Sequence, residues 1–76
     1  MTLDEAWAAA EAALPEGWAV TDVLRRGGGA EREWRAFAHR WTPYADPINR
    51  VAGMGPTPAE ALIALAVELR KMKEQA

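Results

Sequence analysis

The segment Arg35-x-Phe37-x-His39-x-Trp41, followed at a short distance by Tyr44, brings the chain's one histidine together with arginine and aromatic rings. On an extended strand such alternate residues share one face. A histidine there invites two chemistries, proton transfer and metal ligation. A metal site needs further ligands, and in a chain without Cys these must be carboxylates such as Glu33 or Asp46. Nothing has the His-x3-His kind of spacing that places two ligands on one metal. Nucleophilic catalysis fares no better: the chain has neither Cys nor Ser, and its threonines fall where helix caps and turns account for them. The run Gly27-Gly28-Gly29 raises the question of a phosphate cradle, but no Lys-Ser/Thr pair follows and the next segment has the pattern of a strand. These patterns predict no catalytic residue, no metal, no cofactor and no small-molecule substrate: a protein that is not an enzyme.

What the row does offer is recognition. Rings interleaved with arginine have the composition of protein-interface hot spots, so Arg35, Phe37, His39, Trp41 and Tyr44, rimmed by Arg40, are the candidate protein-binding residues. The expected partner is another protein or a second copy of the chain. The alternative is single-stranded nucleic acid, with bases stacked on the rings and phosphates held by Arg25, Arg26, Arg32, Arg35, Arg40 and Arg50. Glu31, Glu33 and Asp46 interrupt that basic track.

The elements that position this row belong to one domain, expected to span residues 1–76. A chain of this size buries only roughly 60–65% of its unfolded surface, so its core needs dense apolar anchors. Trp7, Trp18 and Trp34 are the expected ones, since each large ring can bury about 150–250 Å². No apolar run approaches the ~18 residues of a membrane span, and the acidic start Met1-Thr2-Leu3-Asp4-Glu5 is unlike a secretory signal. A cytoplasmic protein is expected. The net charge of −2 names no partner class. It is uneven, however: residues 1–16 hold four acids and no Lys or Arg, whereas all of the mild positive excess lies in residues 17–56.

Thr2-Leu3-Asp4-Glu5 is a capping box, in which hydroxyl and carboxylate satisfy each other's backbone amides. It predicts a helix from about 3 to 14 with Leu3, Trp7, Ala10 and Leu14 as its buried stripe, stopped by Pro15 and Gly17. Trp18–Arg26 reads as a strand, the glycine run as a hairpin tip, and Glu33–Trp41 as the second strand. Small residues let a helix approach a sheet, so Trp34, Ala36 and Ala38 are assigned to the helix side and the Phe37 row to the other. Residues 42–49, with two prolines, read as an irregular loop, and Arg50-Val51-Ala52 as a short third strand whose widest reading runs from Ile48 to Met54. Gly53 and Gly55 then turn the chain into a second capped helix, Thr57-Pro58-Ala59-Glu60, with Pro58 at the first helical position. Leu62, Leu65, Leu69 and Met72 form its buried stripe, widened by Ile63, Ala66 and Val67. The fold class is α+β: a two-layer α-β-β-β-α sandwich, three antiparallel strands with both helices on one face.

Trp34-x-Ala36-x-Ala38, with Gly53-x-Gly55-x-Thr57-Pro58-x-Glu60-Ala61-Leu62 ahead of an Ala/Leu helix, resembles small proteins of phages and prophages. The element order is similar to that of the double-stranded-RNA-binding domain, and the helix-start motif resembles HicB-type antitoxins, whose partial version of the fold occupies a toxin. The resemblance covers nearly the whole chain in element order and implies a docking module of mobile-element character. It does not carry over duplex-RNA binding: where that family opens its second helix with lysines that grip phosphate, this chain has Pro58-Ala59-Glu60-Ala61, and its first helix is acidic.

Overall fold

The computed structural model of the chain describes residues 1–26, 33–40 and 50–74. The element order is α1 (Leu3–Ala12), β1 (Trp18–Arg26), β2 (Glu33–Arg40), β3 (Arg50–Gly55) and α2 (Pro58–Glu74). The strands form one open antiparallel sheet with β2 in the middle. The shortest dimension, 19 Å, is the thickness of a helix layer on a sheet and leaves no room for a third layer. The Gly27–Gly29 hairpin tip and the 42–49 loop lie outside the described residues.

Both helix starts follow from their caps. The Thr2 hydroxyl accepts from the Glu5 amide at 3.1 Å, and Glu5 Oε1 accepts from the Thr2 amide at 3.2 Å. The Thr57 hydroxyl accepts from the Glu60 amide at 3.1 Å. Each cap satisfies amides that helix geometry leaves without partners and contributes about 1 kcal/mol. At the far end of α1, Gly17 turns the chain with φ of 86°, the left-handed region that favours glycine.

The core is made of small residues. Ala6, Ala10 and Ala13 of the first helical segment, Ala36 and Ala38 of β2, and Ala61, Leu62, Leu65, Ala66 and Leu69 of α2 form one buried cluster. This corrects the expectation that tryptophans anchor the interior. Trp18 and Trp34 pack against the cluster half-buried, and the largest fully buried side chains are Leu62, Leu65 and Leu69. The reason is spacing. Alanines facing alanines bring helix and strand too close to enclose a whole indole, so the rings fill the margins of the layer.

On α1 the buried stripe is Ala6, Ala10 and Ala13 rather than Leu3, Trp7, Ala10 and Leu14. Leu3 is 48% and Trp7 36% exposed, on the flank of the helix. The helix leans on α2 through its alanines and reaches β1 only lightly. On α2 the expected stripe holds at Leu62, Leu65 and Leu69, with Met72 and Ile63 half-buried, but Val67 is 42% exposed.

Helix α2 and strand β3 approach each other at backbone distance. A Cβ built on Gly53 would collide with the backbone nitrogen of Leu65 and lie 2.6 Å from both the Ala61 carbonyl oxygen and the Leu65 Cα. One built on Gly55 would lie 2.8 Å from the Glu60 Cβ. Both glycines belong to β3, which therefore runs further than expected. Their role is to let strand and helix backbones touch, not to bend the chain out of the strand; neither has a positive φ. Gly53 faces Ala36 across the ladder, so the same seam continues into β2.

Candidate site on the open face of the sheet

Pairing fixes which side chains share each face. Ala36 lies between Val23 and Gly53, and Ala38 between Val20 and Val51; all of these face the helices. The intervening β2 residues face away. Phe37 lies between Asp22 and Ala52, Arg35 between Leu24 and Met54, and His39 between Ala19 and Arg50. Arg35, Phe37 and His39 thus share the open face, as their alternation requires. Trp41 and Tyr44 lie outside the described residues.

Phe37 is the centre of this surface and is half-buried. Its ring is covered from one side by Arg50, whose guanidinium carbon stands 5.3 Å from the ring centroid. Such cation–π contacts at partly exposed sites are worth about 0.5–1 kcal/mol, enough to bias a long side chain toward the ring. Arg35 is half-buried, and its Nη2 donates to Glu33 Oε2 at 3.4 Å. The two residues are two apart on one strand and so on the same face. In that partly exposed setting the ion pair contributes less than about 1 kcal/mol. Arg35 Nε is buried and has no hydrogen-bond partner among the described residues.

His39 is held by a feature of β1. The ladder steps from Val20 opposite Ala38 to Asp22 opposite Phe37, so Thr21 is an extra, unpaired residue, a β-bulge. Its hydroxyl shares a hydrogen bond with His39 Nδ1 and stands 3.5 Å from the Phe37 carbonyl oxygen. The bulge orients the imidazole across the sheet. It also changes the phase of β1, because Val20 and Val23, three apart, both face the helices. Among the described residues, no three His, Cys, Asp or Glu side chains cluster as metal ligands would.

Sequence reasoning left the faces of β1 and β3 unassigned and so missed Asp22, Leu24, Ala52 and Met54. Leu24 is 36% and Met54 54% exposed, and they flank Arg35 on either side. The available signal was the spacing of Val20 and Val23, which betrays a bulge once both are known to be inward. Arginines divide between the faces. Arg35 and Arg50 belong to the open side, with Arg26 opposite Glu33 in the same register, whereas Arg25 pairs with Trp34 and Arg40 with Trp18, on the helix side.

The chain matches no protein-family model, no curated protein and no solved structure. No described helix is long and apolar enough to cross a membrane.

Proposed function

We propose that this chain is a non-enzymatic protein-binding module, an accessory protein of phage or mobile-element character. It acts in the cytoplasm of the host by docking on a host or viral protein, as an inhibitor or in the manner of an antitoxin. The observation that carries the reading is the composition of the face opposite the helices. Phe37 sits at its centre with Arg50 stacked on it, Arg35 and His39 lie along the same strand, and the exposed apolar chains of Leu24 and Met54 stand on either side. A central ring with arginines and an apolar surround is the arrangement in which a few residues dominate binding.

The alternative, a single-stranded nucleic-acid module, asks for a continuous basic track beside the rings. Among the described residues, Arg25 and Arg40 take the helix-side register, and Asp22 and Glu33 interrupt Arg26, Arg35 and Arg50 in the open-side register, where Glu33 already engages Arg35. This division favours the protein-docking reading.

The test is affinity capture from host lysate with the wild-type chain and with Phe37→Ala, Met54→Glu and Trp41→Ala. A protein retained by the wild type and lost with Phe37→Ala and Met54→Glu supports docking through this face. Retention of the same proteins by all four chains contradicts it. Oligonucleotide binding that falls steeply as salt rises would instead support the nucleic-acid alternative.

A further inference from the structure

We infer that the protein this face fits is a second copy of the same chain, seated sheet to sheet about a two-fold axis parallel to β2. The inference rests on the docking reading above, since it uses the same face, and it assigns that face an occupant when no host or viral partner is bound.

Charge on the face is mixed: among the described residues, Asp22 and Glu33 are interspersed with Arg35, Arg50 and, opposite Glu33 in the ladder, Arg26. The face is also complementary to itself. A two-fold axis parallel to the middle strand lays β1 of one copy over β3 of the other and β2 over β2. Each row across the sheet then meets its own reverse. Leu24 comes over the second copy's Met54 and Met54 over its Leu24, joining the two most exposed apolar chains among the described residues of the face. Phe37 meets its counterpart on the axis. Asp22 comes over the second copy's Ala52, a small residue beside which the guanidinium of that copy's Arg50 is drawn up over Phe37. Two Asp22–Arg50 pairs form across the interface in this way. Arg35 also approaches its counterpart, but each is already engaged with its own Glu33.

The free edges argue for the face over continued strand pairing. β1 is broken by the bulge at Thr21, and β3 is only 6 residues long; bulges and short edge strands both oppose edge-to-edge addition. Size sets the strength. Three strands about 4.8 Å apart and about seven residues long give a planar footprint of roughly 300 Å², well under the ~800 Å² per partner of a stable complex. Side-chain relief adds to this, yet the dimer belongs to the weak class, populated as concentration rises.

Sedimentation velocity of the pure chain from micromolar to millimolar concentration is the test, with circular dichroism to establish that each variant is folded. Wild type should pass from monomer to dimer across this range. Met54→Glu should stay monomeric, and Val67→Glu, on the exposed flank of α2, should dimerise as wild type does. Asp22→Arg and Arg50→Asp should each weaken dimerisation by about tenfold, and the two combined should restore it. Wild type that stays monomeric throughout overturns the inference, as does a dimer indifferent to Met54→Glu. Weakened single variants with no restoration in the combination overturn the two-fold pairing. A monomeric wild type whose lysate partner still depends on Met54 leaves the docking reading standing and removes only the second copy as occupant.

Discussion

The two faces of β2 are built by opposite rules. Toward the helices the strand presents Ala36 and Ala38, fully buried, with Gly53 beside Ala36 and the α2 backbone pressed against that seam. Away from them it presents Arg35, Phe37 and His39, half-buried, each bearing a contact made through a polar or charged group. One face is selected for how little space it takes and the other for what it can hold. In a chain of 76 residues a thin seam is an economical way to make a core, because alanine and glycine let backbones approach and large side chains need only fill the margins. It also frees the larger aromatic and cationic residues of the middle strand for the outside.

The contrast is broken most severely at Gly53. A methyl there meets helix backbone, which cannot rotate away, so Gly53→Ala should cost about 3 kcal/mol or more, read as a fall in the urea unfolding midpoint. A small domain has little more than about 5 kcal/mol in total, so the variant should be largely unfolded at modest urea. An unchanged midpoint would mean that the seam is looser than described. Next comes Ala36→Leu, with an expected loss of about 1–3 kcal/mol by overpacking. On the other face of the same strand Phe37→Leu should lose less than about 1 kcal/mol. Equal losses at 36 and 37 would erase the distinction between the faces. Thr2→Ala removes the α1 cap and should cost about 1 kcal/mol, measured in the same titration. Met54→Glu, on an exposed site of the open face, should change stability by less than about 0.5 kcal/mol while altering association.

Much of this was legible in the sequence for local reasons. The capping box at Thr2, the Thr57 hydroxyl cap, the start and end of β1, and the alternation along β2 are short-range signals, and all appear in the fold. Phe37 faces away from the helices, as the assignment of the small residues Ala36 and Ala38 to the helix side implied. What was not legible depends on contacts between distant segments. The Thr21 bulge shifts the phase of β1 and is defined only by pairing with β2. The glycines of β3 look like turn residues until Ala61 and Leu65 of α2 are seen against them. On α1, Leu3 and Trp7 have the hydropathy of a buried stripe, yet the alanine stripe wins, because α1 packs on an α2 surface that itself includes Ala66. Hydropathy ranks residues by cost of exposure; it does not say how close two helices must come.

Nuclear Overhauser contacts of the Phe37 ring in solution test the central claim most directly. The two-face arrangement predicts contacts from the ring protons to the Arg50 side chain and to Ala52, and none to the methyl groups of Leu62 or Leu65. Strong contacts between the Phe37 ring and those leucine methyls would place it inside the helix layer and contradict the account.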